Sequence, residues 1–316
     1  MKKPINVSIT GGTGIVGQNF LLLLDKHPWF RVVDIAASKD SAGKKYIDAV
    51  RNKWSFKEPV PEKFRKMIVR ESNDYESIPN NVSCVFFSTA LKDRKRTSDL
   101  EFNYARKGIP VVSTTSSNRT IDDVPVIIPE INPEHLNIIP EQQKNHGLPD
   151  NGYIVSKPNC SIQSFVIVLK ALKDSGFTVN RVQVSTMQAL SGAGYNALTD
   201  HDMKNNVIPY IKGEEYKTEN EPLKIFGKID GKSIVKSKTL KVNAICTRVP
   251  TFHGHMALVQ LGFSKKKPTK FVLESILEKF KTDDLITNLP SAPKSAIVVK
   301  KQIDRPQPRL DINIYN

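Results

Sequence analysis

The chain has 316 residues, a formal net charge of +15 and a hydrophobic content of 39%. This length exceeds what a single hydrophobic core usually organises, so two domains are expected. No apolar run approaches the roughly 20 residues of a membrane span, and the N-terminus MKKPINVSIT has no apolar signal region, so we expect a cytoplasmic protein that does not act at a membrane.

The positive charge is concentrated in three short clusters, Lys92–Arg96, Lys236–Lys241 and Lys265–Lys270. No helix-turn-helix, zinc-finger or RNA-recognition motif accompanies them. Solvated basic faces are therefore the favoured interpretation, and no nucleic-acid partner is expected. The three cysteines lack the spacing of zinc ligands or of a disulfide framework, which predicts no metal site and fits a reducing compartment.

The N-terminal stretch predicts a dinucleotide-binding loop. Asn6–Thr10 is typical of a buried strand, Gln18–Asp25 is typical of a helix, and GGTGIVG lies between them. Gly12, Gly14 and Gly17 satisfy G-x-G-x-x-G in the strand–turn–helix context that the motif requires. Small residues allow a tight turn and a close approach of backbone to a pyrophosphate, although a plain glycine turn is the alternative. The predicted cofactor contacts in this loop are Gly11, Gly12, Thr13, Gly14, Ile15, Val16 and Gly17.

The second predicted strand, Phe30–Ser38, indicates which dinucleotide is bound. An NAD-binding strand is expected to end in Asp or Glu, but Asp34 comes too early and is expected to point into the sheet. Ser38, Ser41 and Lys44 follow instead, and hydroxyl and ammonium groups suit a ribose 2′-phosphate. NADP is therefore the predicted cofactor, with an ordinary basic loop as the alternative.

Strands and helices alternate through the rest of the first half. Val82–Ser88 and Ile109–Ser113 are apolar runs typical of central parallel strands, and Arg96–Lys107 predicts a helix between them. This alternation predicts an α/β fold with a Rossmann-type doubly wound parallel sheet. Glu141–Gly152 is the predicted linker, so we expect a cofactor domain at 1–150 and an α+β domain at 151–316.

The second domain begins around Cys160 in the stretch SKPNCSIQS. Tyr153–Val155 predicts a short strand, and the apolar periodicity from Ser161 predicts a helix that stops at Gly176. Cys160 would then lie on a strand-to-helix turn, where unpaired N–H groups and the helix dipole favour a thiolate. The alternative is a buried cysteine that acts as a small hydrophobe.

The remaining predicted elements carry several polar candidates. They are strands at Thr178–Gln188, Lys241–Thr247, His255–Phe263 and Ala296–Lys300, and an amphipathic helix at Thr269–Lys281. The loop RVPTFHGH offers two histidines, His253 and His255, which a strand would place on the same side.

Eight stretches occur in order from end to end: TGGTGIVGQNF, SAGKKY, VPVIIPEINPEHL, PNCS, TMQALSGAGY, VIPYIKGEEYKTENE, RVPTFHGH and DRPQPRLD. With this set the whole chain resembles the aspartate-semialdehyde dehydrogenases of archaea and fungi. The resemblance implies reduction of aspartyl phosphate by NADPH with release of phosphate. It also implies a catalytic domain that forms the interface of a homodimer or homotetramer.

The resemblance assigns roles to individual residues. It makes Cys160 the thiol nucleophile, His255 the general acid/base and Gln188 the amide beside the thioester. The implied substrate contacts are Arg119 and Lys217 for phosphate, Glu214 for the amine and Arg248 for the carboxylate, and the implied further cofactor contacts are Ser88, Ser191 and Gly192. The chemistry needs these types independently, because Cys forms a thioester readily and a planar Arg grips a carboxylate. His253 and Glu215 are the competing neighbours.

Other functions stay open at this point. A malonyl-CoA reductase would use the same Cys and His, but it would not need the ammonium-binding Glu214. An N-acetyl-glutamyl-phosphate reductase is a weaker possibility, because its acylated amine carries no charge. The family continues beyond DRPQPRLD with a strand and a helix, whereas this chain stops at Asn316. An inactive truncated paralogue is therefore the alternative from another class, and we expect the chain as given to bind NADP weakly.

Overall fold

The computed structural model describes residues 3–198, 203 and 205–312. The chain divides into two compact units, and each consists of several separate segments of the sequence. The first unit consists of Met1–Val126, His135–Lys157 and Ile229–Ile234, and the second of Ile127–Glu134, Pro158–Lys228 and Val235–Asn316. Within the described ranges, no helix is both long and apolar enough to cross a membrane.

The first unit is built on a six-stranded sheet. Its strands are β1 (Ile5–Thr10), β2 (Phe30–Ala37), β3 (Arg70–Glu71), β4 (Cys84–Phe87), β5 (Val111–Ser113) and β6 (Ile154–Ser156). They lie in the order β3-β2-β1-β4-β5-β6 and every neighbouring pair is parallel. Because the order reverses at β1, the connecting helices must cover both faces, which is the predicted doubly wound arrangement.

Helices and apolar clusters complete the first unit. The helices are α1 (Ile15–Leu24), α2 (Tyr46–Val50), α3 (Glu62–Arg65), α4 (Arg94–Arg106) and α5 (Ile139–His146). Val7, Ile9 and Ile35 are fully buried in one cluster, and Val85, Phe87 and Val111 are fully buried in another. Strands that are buried on both faces explain why the sequence here shows continuous apolar runs rather than alternation.

The second unit contains a mixed three-stranded sheet. Its elements are α6 (Gln163–Asp174), β7 (Val179–Gln188), α7 (Tyr195–Leu198), α8 (Glu214–Ile225), β10 (Lys241–Arg248), β11 (Met256–Phe263), α9 (Lys270–Lys279), α10 (Asp284–Thr287) and α11 (Pro308–Asp311). The short hairpin β8 (Lys228–Asp230) and β9 (Ser233–Val235) precedes β10. In the sheet, β10 pairs parallel and β11 antiparallel with β7. The predicted fold class, a Rossmann-type sheet plus an α+β domain, is confirmed.

Two predicted segments are wrong. The predicted linker Glu141–Gly152 contains most of helix α5, because the buried Gln142 bonds to the backbone of Asp123 and Ile154 and ties this stretch to the first unit. Ala296–Lys300 is not a strand in the described structure. Its apolar alternation has no paired neighbour there, and a strand needs a ladder partner as well as a pattern.

Candidate active site

The glycine loop lies between β1 and α1 in the first unit. Gly11 has a positive φ of 67°, which an L side chain rarely adopts. A Cβ on Gly17 would lie 2.3 Å from the carbonyl oxygen of Gly11, so α1 packs directly on the loop. Two buried side chains also hold the loop: Tyr46 Oη donates to Gly12 O at 2.8 Å, and Gln18 Nε2 donates to Thr13 O at 2.9 Å. This narrow, glycine-rich turn at a helix N-terminus fits a dinucleotide phosphate.

The end of β2 has the residues expected beside a ribose. Asp34 is buried, and it accepts hydrogen bonds from Ser8 Oγ at 2.6 Å and from Arg70 Nη2 at 2.8 Å. It therefore points into the sheet, as the sequence indicated. Ser38 and Lys44 are exposed. Two other predicted cofactor contacts are less accessible. Ser41 is buried, and the hydroxyl of Ser88 is already bonded, because it donates to the Thr10 carbonyl at 2.6 Å.

Arg119 also belongs to the first unit, in the loop after β5. Its Nη2 donates to the Thr114 carbonyl at 2.8 Å. The fully buried Glu101 of α4 holds the same loop, because its carboxylate accepts bonds from Thr115 Oγ1 at 2.5 Å and Asn118 Nδ2 at 2.7 Å. Burial raises the pKa of Glu101, and the loop hydrogen bonds and the Arg119 charge only partly oppose this.

Cys160 and His255 meet in the second unit. The cysteine is exposed in the turn that precedes α6, and its Sγ lies 3.1 Å from His255 Nε2. The backbone N–H of Ala189 donates to His255 Nδ1 at 2.9 Å. A ring nitrogen that accepts an N–H carries no proton, so a neutral His255 has its proton on Nε2, facing the sulfur. His253 makes no equivalent contact among the described residues, because β11 begins only at Met256 and Gly254 turns the chain with φ 86°.

A polar network surrounds the nucleophile. Asn159 Nδ2 donates to Glu214 Oε2 at 2.8 Å, and Gln188 Nε2 approaches the same oxygen at 3.4 Å. Lys217, one turn along α8, is paired with Glu214 Oε1. Burial raises the pKa of Glu214, but the hydrogen bonds from Lys217, Asn159 and Gln188 outweigh it and hold the pKa below its usual value. Glu214 is therefore ionised at neutral pH. Its neighbour Glu215 instead accepts the N–H of Cys246 in β10.

Arg248 and the SGAG turn complete this group. The buried Arg248 donates from Nη1 to the Ala189 carbonyl at 2.8 Å, so the backbone of one residue contacts both His255 and Arg248. Burial lowers the pKa of Arg248, while the charges of Glu214 and Cys160 raise it. A Cβ on Gly192 would lie 2.8 Å from His255 Cε1 and 2.9 Å from Arg248 Nη1. Adjacent to it, Ser191 donates its N–H to the carbonyl of Phe252.

The structure thus groups six of the predicted catalytic and substrate residues in one unit, together with the predicted cofactor contacts Ser191 and Gly192. The six residues are Cys160, Gln188, Glu214, Lys217, Arg248 and His255. The Gly11–Gly17 loop, the loop after β2 and Arg119 belong to the other unit. Sequence reasoning missed Asn159 and Ala189, although the position of each beside a predicted residue was a usable signal. It also missed Tyr46 and Gln18, whose role depends on tertiary hydrogen bonds.

Comparisons with known proteins relate both parts of the chain to one enzyme family. Residues 6–139 match the family described as "Semialdehyde dehydrogenase, NAD binding domain", and residues 169–316 match "Semialdehyde dehydrogenase, dimerisation domain". The chain is 40% identical to an aspartate-semialdehyde dehydrogenase of Archaeoglobus fulgidus over 98% of this chain and 85% of that protein. It is 38% identical to the Cryptococcus neoformans enzyme of the same name, over 100% of this chain and 86% of the relative.

A solved structure is similar as well. Aspartate semialdehyde dehydrogenase from Candida albicans, crystallised with NADP, superposes with a TM-score of 0.86 at 33% identity. The match covers 99% of this chain and 86% of that one.

Proposed function

The chain belongs to the aspartate-semialdehyde dehydrogenase family, and we propose that it reduces L-aspartyl 4-phosphate to L-aspartate 4-semialdehyde with NADPH and releases phosphate. The semialdehyde serves the biosynthesis of lysine, threonine and methionine. The observation that carries this proposal is the 3.1 Å contact between Cys160 Sγ and His255 Nε2, with an ionised Glu214 in the same network.

The chemistry begins at the sulfur. The Cys160 thiolate attacks the acyl carbon, the bond from that carbon to the phosphate oxygen breaks, and phosphate leaves with the electron pair. The product is a thioester on Cys160. The glycine loop would hold the pyrophosphate of NADPH, and the bound cofactor would supply the hydride that reduces the acyl carbon. The resulting oxyanion collapses, the C–S bond breaks, and the semialdehyde leaves as the thiolate is restored.

His255 serves both halves of this cycle from one position. Its Nε2–H first donates to the thiolate and stabilises it at 3.1 Å. The same Nε2–H then donates to the oxyanion that forms on the acyl carbon. Because that carbon is bonded to the sulfur, the proton moves only a short distance. The Ala189 N–H on Nδ1 keeps the ring in this orientation throughout.

Four charged groups are proposed to select the substrate. Arg248 offers a planar guanidinium to the α-carboxylate. Glu214 and Lys217 form an ion pair in the free protein, and we infer that the ammonium and phosphate of the substrate engage this pair, ammonium to Glu214 and phosphate to Lys217. Arg119 is the second proposed phosphate ligand. Glu214 distinguishes an aspartyl substrate from a malonyl or N-acetylated one, because neither of those carries a positive charge at this point.

The principal test is Cys160→Ala. Turnover of aspartate semialdehyde, phosphate and NADP should be abolished, while NADP affinity stays within a few-fold of wild type. Cys84→Ala removes a thiol from the first unit's sheet and should keep turnover. Substantial turnover by Cys160→Ala would reject the proposed nucleophile.

A second variant tests the substrate class. Glu214→Gln keeps the size of the side chain and removes the charge that faces the ammonium. Losing a charged hydrogen bond costs on the order of 1.5–3 kcal/mol, which lowers kcat/KM for aspartate semialdehyde roughly tenfold or more. An unchanged kcat/KM would exclude Glu214 from this role.

NADP is the proposed cofactor rather than NAD. Asp34, the only acid in β2, is engaged by Arg70 and Ser8, whereas Ser38 and Lys44 are exposed at the end of the strand. The ratio of kcat/KM for NADP over NAD should exceed one, and Lys44→Ala should lower it by weakening NADP use alone. Equal use of both cofactors by the wild-type protein would reject the preference.

A homodimer, or a tetramer built from it, is the proposed assembly. On the sheet of the second unit, Ile245 (58% exposed) and Leu258 (65% exposed) flank Ser185 in one row and leave an apolar patch on the open face. We expect Leu258→Asp to shift the sedimentation of the protein towards monomer. Leu23→Asp, at a similarly exposed leucine of α1, is the control and should not. Unchanged association of Leu258→Asp would place the interface elsewhere.

The proposed location is the cytoplasm. All three cysteines are free, and a catalytic thiol that must be a thiolate needs a reducing compartment.

A further inference from the structure

Helix α8 carries four glutamates that bond to two different parts of the second unit. Glu215 Oε1 accepts the N–H of Cys246 at 3.3 Å, and Glu219 Oε1 accepts the N–H of Ala244 at 3.1 Å. Both donors lie on the edge of β10 that faces away from β7, where the described residues add one backbone bridge, between Ile208 and Arg248. This pair therefore satisfies edge N–H groups and fixes the helix to the strand.

The other two glutamates bond to the residue before the nucleophile. Glu214 and Glu221 are seven residues apart, so they share one face of the helix. Glu214 Oε2 accepts from the side-chain Nδ2 of Asn159 at 2.8 Å, and Glu221 Oε2 accepts from its backbone N–H at 2.6 Å. Glu221 is only 7% exposed. One asparagine is thus bonded to two carboxylates, through its side chain and through its main chain.

The side chain of Asn159 also bonds to Ser161, the residue that follows Cys160. Its Oδ1 accepts from both the backbone N–H of Ser161 at 2.8 Å and the Ser161 hydroxyl at 2.5 Å. The residues on either side of Cys160 are therefore joined by a side chain whose own peptide is fixed to Glu221. The Asn159–Glu221 bond fixes the Pro158–Asn159 peptide, and through the Asn159 side chain it fixes the turn in which Cys160 lies.

We propose that Glu221 is a positioning residue for the nucleophile, acting through the backbone N–H of Asn159 to aim Cys160 Sγ at the acyl carbon and at His255. This inference rests on the proposed function, because it takes Cys160 as the nucleophile. Acyl transfer tolerates little misplacement of the attacking atom, so a peptide that is free to rotate beside Cys160 would slow both attack and collapse.

The test compares two glutamates of one helix that both accept a backbone N–H. Glu221→Ala removes the bond to Asn159, and Glu219→Ala removes the bond to β10 and serves as the matched control. Glu221→Gln keeps an acceptor oxygen without the charge. The measurements are kcat, KM for aspartate semialdehyde and for NADP, and the rate at which iodoacetamide alkylates Cys160 between pH 6 and pH 9, followed by mass spectrometry.

We expect Glu221→Ala to lower kcat and the alkylation rate at Cys160 by roughly 10- to 100-fold, with KM for NADP unchanged. Glu221→Gln should restore most of both rates, and Glu219→Ala should resemble wild type. If Glu221→Ala behaves like Glu219→Ala in both rates, or if Glu221→Gln is as slow as Glu221→Ala, the proposal is overturned.

A further variant covers the case in which Glu221→Ala fails to fold. If Glu221→Ala does not fold, Glu221→Asp keeps the charge on a side chain too short to reach Asn159. Slow alkylation in Glu221→Asp together with fast alkylation in Glu221→Gln supports positioning, and the reverse order shows that charge alone matters and refutes it. Failure of the proposed function is seen separately, as residual turnover in Cys160→Ala.

Discussion

The glycine loop of the first unit and the cysteine site of the second unit are built in opposite ways. The loop is seven consecutive residues, four of them glycines, and its function depends on the side chains missing at those four. At Gly17, a Cβ would lie 2.3 Å from a carbonyl oxygen. The cysteine site consists of side chains that are distant in sequence: His255 is 95 residues from Cys160, and Glu214 is 55 from Asn159. A local motif can specify the first kind of site, whereas only the tertiary fold can assemble the second.

The largest expected effect in this comparison comes from removing a side chain from the cysteine site. It should lower catalysis without changing cofactor binding. His255→Asn takes away the Nε2–H that faces Cys160 and leaves the glycine loop intact. We expect kcat to fall roughly 10²–10⁴-fold, the usual contribution of a positioned acid or base. NADP affinity, measured by calorimetry, should not change. His253→Asn is the matched control, and a comparable loss of kcat there would mean that the wrong histidine has been assigned.

The converse change adds a side chain to the glycine loop. Gly17→Ala would normally stabilise a helix by about 1 kcal/mol, but its Cβ would meet the backbone of Gly11. We expect NADP affinity to fall more than about tenfold while iodoacetamide still alkylates Cys160 at the wild-type rate. Gly14→Ala, whose Cβ would lie 3.4 Å from the Gly11 carbonyl oxygen, should weaken binding less. Equal losses in the two variants would show that packing at Gly17 is not the cause.

The contrast also explains what could be predicted from the sequence. The strand–glycine–helix unit, the parallel sheet and the buried Asp34 follow from local pattern. The choice of His255 over His253 came from family resemblance, because alternation in a strand would place both histidines on the same side. In the structure, Gly254 instead turns the chain between them. The bond from Asn159 to Glu221 has no local signature, because the two residues are 62 positions apart. The predicted linker was wrong for the same reason, since Gln142 is held by hydrogen bonds to distant backbone.

A third change adds a side chain to a glycine of the cysteine site. Gly192 was predicted as a cofactor contact, yet its missing Cβ leaves room for the ends of His255 and Arg248. We therefore expect Gly192→Ala to lower kcat roughly 10- to 100-fold by displacing these groups, with KM for NADP and the melting temperature nearly unchanged. Ala193→Ser, at the exposed neighbouring position, is the control. A rise in KM for NADP at constant kcat would favour the cofactor assignment instead.

The smallest expected effect concerns the charge of Glu214 and its contribution to the stability of the folded protein. The glycine loop has no ionisable side chain of this kind. The folded protein holds the pKa of Glu214 below the ordinary value of 4.5, through its bonds to Lys217, Asn159 and Gln188. The folded state therefore takes up this proton less readily than the unfolded chain. The resulting stabilisation is fully present above pH 4.5 and is lost as the pH falls through the folded pKa.

Glu214→Gln removes this contribution, so at pH 7 the variant should be less stable than wild type by about 1 kcal/mol, the net worth of a hydrogen bond. The difference in melting temperature should shrink as the pH falls from 4.5 through the folded pKa, because the wild-type carboxylate becomes protonated over that range. Glu62→Gln, at a side chain that is 77% exposed, should show little difference from wild type at any pH. A gap between Glu214→Gln and wild type that stays constant from pH 7 to pH 3 would mean that packing, not ionisation, stabilises this position.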